Sequence, residues 1–264
     1  MIRSVMFVPS VKRMLMKIHS FNADAYVLDL EDAVSDDKKK DALKDAAAFL
    51  ESMPEEKIYV RINRSLIENE IETLRSYKFE GYMLPKFVSP EEFSRFESEL
   101  SRRNNIALTE TPMGMANLRD IASCSWVSAI AFGAEDYTSS VMMKNSSEYL
   151  IGIKNMIVMF AKAFGKSAID TPFMNLNDNE KFLAEVQMSA DLGFDGKLAV
   201  HPKQTEAINH IFLRRSETDF MIEAVKRYEE NGGGAVSIGG KIYEKMHIEN
   251  FKKILGIRIV ITKR

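Results

Sequence analysis

Two acidic residues, Glu110 and Asp136, each follow a short apolar run and lie about one strand–helix unit apart in the chain. If the two runs are neighbouring parallel strands, both carboxylates end at the same edge of the sheet. Two hard oxygen ligands, with water and substrate completing the coordination, suit Mg²⁺. Alternatively, one carboxylate caps the following helix while the other pairs with a basic residue such as Lys86. The spacing therefore indicates either a magnesium site or two structural carboxylates.

A second group of charged residues also follows apolar runs. Arg61 ends one of these runs, where an unpaired buried guanidinium would cost free energy. Its planar fork suits bidentate binding of a substrate carboxylate, but a salt bridge to Glu31 or Asp32 would satisfy it equally well. Asp29, Glu31 and Asp32 place three acids in four positions, which requires a cation, a basic side chain or a shared proton nearby.

Eight short apolar runs alternate with longer segments of helical spacing, a pattern typical of strand–helix units around a parallel sheet. The predicted strands are Ser4–Pro9, Ala25–Leu30, Lys57–Asn63, Gly81–Lys86, Asn105–Thr111, Val127–Gly133, Ser167–Thr171 and Gly196–Pro202. The predicted helices include Asp36–Leu50, Ser89–Arg102, Glu148–Phe164, Asn179–Leu192 and Lys203–Phe212. Since eight strands are enough to close a barrel, the predicted fold is α/β, a TIM (β/α)₈ barrel with a C-terminal helical extension.

Unusual polar residues gather at the C-terminal ends of these predicted strands. They are Asp29, Glu31, Asp32, Arg61, Asn63, Lys86, Glu110, Glu135, Asp136, Asp170 and His201. In a parallel barrel all these ends meet at one rim, the face that carries active sites in such folds. We therefore expect the chemistry at this rim. His201 precedes a proline, and a histidine in that position is more often a hydrogen-bonded structural residue than an acid or base.

The predicted barrel covers residues 1–213, and a helical arm covers residues 214–264. Two glycine-rich stretches, at 231–234 and 239–240, predict a flexible hinge within the arm. Beyond them, Lys241–Leu255 has helical spacing. This last segment could pack on its own barrel or on a neighbour's, and we expect it to pack on a neighbouring subunit.

Composition excludes several classes of partner and of site. The 36 Lys and Arg residues nearly balance the 38 Asp and Glu residues in a chain of 264, so no broad basic field favours nucleic acid or an anionic membrane. The single cysteine, Cys124, excludes an intrachain disulfide framework and indicates a reducing compartment. The N-terminal apolar run is too short for a signal-peptide core, and no run is long enough to span a bilayer. We expect a cytoplasmic protein.

Several strings of residues carry a resemblance to a known family. They are Phe7-Val8-Pro9, Leu28-Asp29-Leu30-Glu31-Asp32-Ala33-Val34, Val60-Arg61-Ile62-Asn63, Leu84-Pro85-Lys86, Phe132-Gly133-Ala134-Glu135-Asp136 and His201-Pro202-Lys203-Gln204. In this order and spacing the chain resembles the citrate lyase β-subunit group of the HpcH/HpaI aldolase family, over nearly its whole length. The resemblance implies a TIM barrel, trimeric or hexameric, that cleaves or forms a carbon–carbon bond in a short acyl-CoA with Mg²⁺.

The resemblance also implies roles for individual residues. Glu110 and Asp136 match the two metal ligands, and Glu110 borders the substrate as well. Arg61 matches the arginine that binds the substrate carboxylate, and the Glu31-Asp32 pair matches catalytic acids beside the metal and its waters. The reaction would be a retro-Claisen cleavage, in which a base removes the hydroxyl proton, Mg²⁺ polarises the oxygen and acetyl-CoA leaves as its enolate. The other product would be an oxo acid.

By the same resemblance, the strand from Arg3 to Pro9 forms part of a coenzyme A cleft, and Arg3 and Lys86 contribute to substrate binding. The chain departs from the family near its C-terminus, where Glu244 stands in place of an aspartate that reaches a neighbouring subunit. The carboxylate is retained but is one methylene longer, and a displacement of about 1 Å can reduce a rate about a hundredfold. We expect Glu244 to be an acid or base of the site.

Two other functions stay open on these residues. One is a pyruvate-dependent aldolase that uses free aldehydes, since that branch of the family shares the barrel and the metal site. The other is a non-catalytic acyl-CoA-binding scaffold, which the change at Glu244 and the altered stretch at Arg214-Arg215 favour. Partner subunits of the citrate lyase kind are compatible with either the lyase or the scaffold.

Overall fold

The computed structural model describes residues 2–52, 54–214, 218–238 and 241–255. Eight parallel strands form a closed barrel in which each strand pairs with the next along the chain and the last pairs with the first. The strands are β1 (Ser4–Pro9), β2 (Ala25–Asp29), β3 (Ile58–Arg61), β4 (Gly81–Leu84), β5 (Asn105–Thr109), β6 (Val127–Phe132), β7 (Ser167–Asp170) and β8 (Gly196–Ala199). The predicted barrel is confirmed, and each predicted apolar run contains one strand.

Helices follow the strands around the barrel. They are α1 (Lys12–Leu15), α2 (Lys39–Glu51), α3 (Ile67–Leu74), α4 (Glu97–Leu100), α5 (Pro112–Ala116), α6 (Leu118–Ser123), α7 (Ala134–Ser140), α8 (Ser147–Ala163), α9 (Asn179–Leu192) and α10 (Pro202–Arg214). The predicted helix at 179–192 is confirmed with the same bounds. The segment predicted as a helix at 89–102 is mostly a 3₁₀ helix, Pro90–Phe96, that continues into α4.

Apolar side chains from all eight strands fill the interior of the barrel. They are Val5, Ala25, Val27, Tyr59, Met83, Ile106, Leu108, Ala129, Ala131, Ile169 and Leu198. Because this interior is a packed core, a ligand has to bind at the rim above it. Strand residues next to these positions face the surrounding helices instead, since successive side chains of a strand point to opposite faces.

Contacts divide the chain into a first unit, residues 1–209, and a second unit, residues 210–264, so the division falls inside α10. The described part of the second unit contains α11 (Thr218–Glu230), the antiparallel strands β9 (Val236–Ile238) and β10 (Lys241–Tyr243), and α12 (Lys245–Ile254). It has its own small core, formed by Ala224, Val225, Val236 and Ile248. The packing of this unit on a neighbouring subunit stays a prediction.

One expectation for the second unit is wrong. Residues 241–243 form a strand and not the start of a helix, because Val236–Ile238 and Lys241–Tyr243 pair with each other. Gly232 and Gly233 have φ values of 63° and 86° and follow the end of α11, where the Gly233 N–H bonds the Tyr228 carbonyl. These glycines therefore terminate a helix, and the flexibility of the hinge stays a prediction. Residues 239–240 lie outside the described residues.

No helix in the described ranges is both long enough and apolar enough to cross a membrane.

Candidate functional site at the carboxyl rim of the barrel

A cavity of about 340 Å³ opens at the carboxyl ends of the barrel strands. Acidic and basic residues line one part of it, and apolar residues line the rest. The charged residues are Asp29, Asp32, Arg61, Glu110, Glu135 and Asp136, and the apolar ones include Phe7, Leu108, Met174, Leu198 and Val200. The structure thus brings most of the charged residues singled out in the sequence to one place.

Arg61 is the last residue of β3 and lies opposite Asp29, the last residue of β2. Its Nε and Nη2 atoms bond the two Asp29 carboxylate oxygens at 2.8 and 2.6 Å. Its Nη1 atom lies 3.0 Å from Asp32 Oδ2 and 3.3 Å from Glu31 Oε2. The structure therefore shows Arg61 in salt bridges. Nε and Nη2 bind Asp29, and Nη1 contacts Glu31 and Asp32.

The residues Leu30–Ala33, which we call the acid turn, lead out of β2 and carry Glu31 and Asp32. The Asp29 carboxylate accepts the Glu31 N–H at 2.8 Å and the Ala33 N–H at 3.1 Å. Glu31 is largely buried, and this burial raises the pKa of its carboxyl group. Arg61 opposes the rise and the Asp32 charge adds to it. Among the described residues, the buried Glu31 Oε2 atom accepts no hydrogen bond and has the ion-pair contact with Arg61 Nη1 at 3.3 Å, so it can still accept a hydrogen bond.

Glu110 follows β5 and is only 4% exposed. Its Oε1 atom accepts the Lys86 N–H at 2.7 Å, and Lys86 has a φ of 48°, a backbone conformation uncommon for a residue with a side chain. Burial raises the pKa of Glu110 to about 8; the Lys86 N–H lowers it, while the charges of Asp136 and Glu31 raise it further. A buried acid with one hydrogen bond and acidic neighbours is a group that a cation would stabilise in its charged form.

Asp136 lies in the first turn of α7 and is partly exposed. Lys86 Nζ lies 3.6 Å from Asp136 Oδ2 and 3.5 Å from Glu31 Oε1. The ammonium group therefore stands between the two acids that flank Glu110. These contacts bring together Lys86, Glu31, Glu110 and Asp136, all of which the sequence singled out.

The donor set fits Mg²⁺. Carboxylate oxygens are the ligands that this ion prefers, and it usually keeps several waters in place of a complete protein cage. Within the described ranges no three or more His, Cys, Asp or Glu side chains form a group that could hold a metal by themselves. Two carboxylates, Glu110 and Asp136, with the unsatisfied Glu31 Oε2 nearby, match an ion that is held partly through water.

Mg²⁺ affinity is expected to depend on pH through Glu110. Its carboxyl group has a pKa of about 8 and is protonated below that pH, so a bound cation has to displace the proton. The Mg²⁺ dissociation constant should therefore fall about tenfold per pH unit from pH 6 to 7 and level off above pH 8. Calorimetric titration in buffers of different ionisation enthalpy measures both the affinity and the released proton. A Mg²⁺ affinity that does not change between pH 6 and pH 8 would contradict the expectation.

Gly133, between β6 and α7, leaves the space that Glu110 occupies. A Cβ atom at Gly133 would lie 2.5 Å from Glu110 Oε2 and 2.6 Å from Glu110 Cβ. Gly133→Ala is therefore expected to displace the carboxylate and weaken Mg²⁺ binding about tenfold or more, as lost support of a ligand typically does. Gly152→Ala is the matched control, because a Cβ at Gly152 in α8 meets nothing within 4 Å. Equal Mg²⁺ affinities of the two variants would contradict a role of Gly133 in positioning Glu110.

The structure does not bring every predicted residue to the cavity. Arg3 precedes β1 at the opposite end of the barrel, where its Nε and Nη2 atoms bond the Asp24 carboxylate, both at 2.7 Å. Asp170 ends β7, but its carboxylate faces the helices, where it bonds Lys154 and Lys197. These two residues therefore do not belong to the rim cluster.

Two further candidates have other surroundings. The His201 Nδ1 atom accepts the Lys203 N–H at 3.2 Å at the start of α10, a structural contact of the kind expected from its position. Glu244 lies in the second unit, directly before α12, and its N–H bonds His247 Nδ1 at 3.1 Å. Its role as an acid or base stays a prediction.

Sequence reasoning placed Asn63 at the rim but missed Glu70 and Lys39, which hold the acid turn from behind together with it. Asn63 Nδ2 donates to the Leu30 carbonyl and to Glu70 Oε1, both at 2.7 Å, and Glu70 on α3 is only 1% exposed. Lys39, the first residue of α2, also donates to the Leu30 carbonyl. A buried acid at a helix position is a weak signal in one sequence, since only the folded chain shows what it contacts.

Comparison with known proteins finds one family and relatives that are named as lyases or lyase subunits. The sequence profile of the family described as HpcH/HpaI aldolase/citrate lyase matches residues 3–202. The mitochondrial citramalyl-CoA lyase of Homo sapiens is 31% identical over 276 residues, which cover 92% of this chain and 81% of that protein. The citrate lyase subunit beta of Leuconostoc mesenteroides subsp. cremoris is 28% identical over 96% of this chain and 92% of that protein.

A solved structure extends the likeness to three dimensions. The citrate lyase beta subunit from M. tuberculosis, complexed with oxaloacetate and magnesium, has a TM-score of 0.70 at 26% identity, covering 79% of this chain and 96% of that one. The family profile spans most of this chain. The chain belongs to the HpcH/HpaI aldolase/citrate lyase family.

Proposed function

We propose that this chain is a Mg²⁺-dependent carbon–carbon lyase. It cleaves or forms a short 3-hydroxyacyl-CoA of the citryl-, malyl- or citramalyl-CoA kind, with acetyl-CoA and an oxo acid as the other side of the reaction. The observation that carries the proposal is the convergence of Arg61, Glu110 and Asp136 on one cavity at the barrel rim. Membership of the family and the named activities of the relatives, citramalyl-CoA lyase and citrate lyase subunit beta, support lyase chemistry on a CoA ester.

Glu110 and Asp136 would hold Mg²⁺, which would act as a Lewis acid on the substrate oxygen that becomes the ketone. Arg61 would bind the carboxylate of the oxo-acid half. In the structure its Nη1 atom contacts Asp32, whose side chain is 61% exposed, whereas Nε and Nη2 stay with the buried Asp29. A substrate carboxylate that displaces Asp32 would therefore leave the Asp29 pair intact and keep the guanidinium in position.

Glu31 is the residue that would take up the hydroxyl proton, with Asp32 beside it. Within the described residues its buried Oε2 atom lies 3.3 Å from Arg61 Nη1 but accepts no hydrogen bond, and burial raises the pKa of the carboxyl group, which makes it a better proton acceptor. Lys86 Nζ, 3.5 Å from Glu31 Oε1, orients the other oxygen and would also meet the substrate. Glu244 of a neighbouring subunit would protonate the leaving enolate in a homotrimer or homohexamer.

The apolar part of the cavity supports a thioester substrate. Phe7, Leu108 and Met174 line the same cavity as the acids, and the Phe7 ring centroid lies 4.7 Å from the Arg61 guanidinium, so they offer apolar surface to a short acyl chain. A bare hydrophilic cleft would not distinguish an acyl-CoA from a free acid.

The experiment that tests the function is a product assay of the purified chain with Mg²⁺ and citryl-CoA, malyl-CoA or citramalyl-CoA. Formation of acetyl-CoA and the matching oxo acid, lost on adding chelator, is the expected result. A related protein is named (3S)-malyl-CoA thioesterase, so free coenzyme A with an intact carbon skeleton would identify hydrolysis instead. Activity only on pyruvate with an aldehyde would identify the aldolase branch. Acyl-CoA binding without any product would identify the scaffold.

A further inference from the structure

The acid turn, Leu30–Ala33, needs an external restraint. Asp29, Glu31 and Asp32 place three acids within four positions, and the cations that contact them, Arg61 and Lys86, bind their carboxylates and not the backbone of the turn. Asp29 restrains it through the N–H groups of Glu31 and Ala33. The carbonyl groups of the turn need partners of their own, since a buried carbonyl without one costs free energy.

Two groups from outside the turn supply those partners. Lys39 Nζ bonds the carbonyls of both Leu30 and Glu31, with the Leu30 contact at 3.1 Å. Asn63 Nδ2 bonds the Leu30 carbonyl at 2.7 Å from the other direction. The two carbonyls that bracket the Glu31 position are therefore both fixed.

Asn63 is itself fixed by Glu70. Both Glu70 oxygens are used, since Oε2 accepts the Asn63 backbone N–H and Oε1 accepts the Asn63 amide, each at 2.7 Å. Glu70 is 1% exposed and Asn63 is 5% exposed, so water does not compete for these bonds. Glu70 accepts one N–H of the Asn63 side-chain amide and also the Asn63 backbone N–H. These two bonds fix the direction of the side-chain amide, so its second N–H points at the Leu30 carbonyl.

We propose that Lys39 and the Asn63–Glu70 pair are positioning residues of the active site. They hold the Leu30 and Glu31 carbonyls so that the Glu31 and Asp32 carboxylates face Glu110 and Asp136. None of the three is among the residues that line the cavity, and we expect their effect on the reaction to pass through the acid turn. The expected effect on kcat rests on the proposed function. The expected effect on Mg²⁺ affinity does not require that the chain cleaves an acyl-CoA.

Lys39→Met tests the proposal with little risk to folding, because Lys39 is half-buried at the start of a helix. The expected result is a fall of about tenfold or more in kcat and a Mg²⁺ dissociation constant weakened about tenfold, which is the usual cost of removing an outer partner of a metal site. The KM for the acyl-CoA should stay within about twofold, since the substrate contacts are unchanged. Lys39→Arg, which keeps donors for the carbonyls, should recover most of both quantities.

Lys44→Met is the matched control, since Lys44 lies on the same helix with a side chain that is 78% exposed and paired only with Asp41. Asn63→Ala provides a second route to the same turn, with the same expected loss. Parent values of kcat and Mg²⁺ affinity in Lys39→Met, or equal losses in Lys39→Met and Lys44→Met, would overturn the proposal, whatever the melting temperatures show. A parent protein that binds Mg²⁺ but cleaves no acyl-CoA would refute the proposed function alone, because the affinity ratios would still decide on positioning.

Discussion

Glu110→Gln is expected to abolish Mg²⁺-dependent turnover while leaving the fold intact. The amide keeps the shape of the side chain and still offers an oxygen to the Lys86 N–H, which the carboxylate accepts at 2.7 Å. It lacks the charge that a hard divalent cation requires. Lewis-acid catalysis contributes several kilocalories per mole, so we expect a fall in kcat/KM of about a thousandfold or more. Steady-state kinetics at saturating Mg²⁺ and calorimetric Mg²⁺ titration measure the two effects.

The same substitution should raise stability. Burial raises the pKa of Glu110 to about 8, so ionisation is easier in the unfolded chain than in the folded one, and the folded state loses stability as the pH rises towards 8. A neutral glutamine removes this cost. At pH 8 without Mg²⁺, Glu110→Gln should therefore unfold at a higher temperature than the parent protein, whereas Mg²⁺ should stabilise only the parent.

Glu72→Gln is a suitable control, because Glu72 is an exposed acid that pairs with the equally exposed Arg75. It should keep parent kinetics and parent Mg²⁺ affinity. Undiminished turnover in Glu110→Gln would show that the metal assignment is wrong. Lost turnover with a lowered melting temperature would show instead that Glu110 serves the fold.

The surroundings of Glu110 cost the fold stability. Glu110 is held in a buried position by one N–H donor, and the backbone at Lys86 adopts a positive φ to supply it. A glycine is needed at Gly133, because a Cβ atom there would lie 2.5 Å from Glu110 Oε2. Three local features that each cost free energy therefore converge on one side chain, which is the pattern expected where function and not packing selects the residues.

The barrel could be predicted from sequence because its signal is local and repeated. Each strand is a short apolar run with polar residues directly after it, as at Asp29 and Arg61, and closure of eight such units follows from their number. The cluster at the rim follows from the topology, since all parallel strands of a barrel end on the same face. No side-chain geometry is needed for either conclusion.

Asp170 shows where this reasoning fails. It ends β7 as Arg61 ends β3, but Ile169 before it belongs to the barrel interior, so alternation points Asp170 at the helices. The position of a residue along a strand places it at the rim. The alternation of side chains along the strand decides whether it faces the barrel interior or the helices. Arg3 differs in its end of the strand: it precedes β1 and so lies at the amino end of the barrel, where it bonds Asp24.

The groups that hold the acid turn come from several elements. Lys39, Asn63 and Glu70 meet behind it only because the segments after β2 and β3 contact α2 and α3. These contacts span from 7 to 33 positions of the chain, and hydrophobic periodicity does not report them. They appear only when the structure supplies the bonding partners.

Asp170 anchors a buried charge cluster outside the barrel. Its Oδ2 atom accepts hydrogen bonds from Lys154 Nζ at 2.9 Å, Lys197 Nζ at 2.8 Å and Ser189 Oγ at 2.5 Å. All four residues are fully buried or nearly so. Burial alone would raise the pKa of Asp170, but the two ammonium groups outweigh it and lower the pKa to about 2. One carboxylate thus compensates two buried cations, which join β7 and β8 to α8 and α9.

Asp170→Asn is expected to be the most destabilising single substitution of similar shape in this chain. It would leave Lys154 and Lys197 as uncompensated cations in the interior, and breaking a buried pair in this way costs about 3–5 kcal/mol. Because the pKa of Asp170 is depressed, the stabilisation is present above about pH 4 and is lost as the pH falls towards 2. Denaturant unfolding at pH 7 measures the loss in the free energy of unfolding.

Lys154→Met separates charge balance from simple loss of a contact. It removes one cation but leaves Asp170 paired with Lys197 at 2.8 Å, so the remaining cluster is neutral. It should therefore cost clearly less than Asp170→Asn, although it breaks an equally short bond. Adding Lys154→Met to Asp170→Asn should restore part of the lost stability, because it removes one of the two stranded charges. Additive losses in the double variant would mean that packing around these side chains, and not their charge, holds β7 and β8 to the helices.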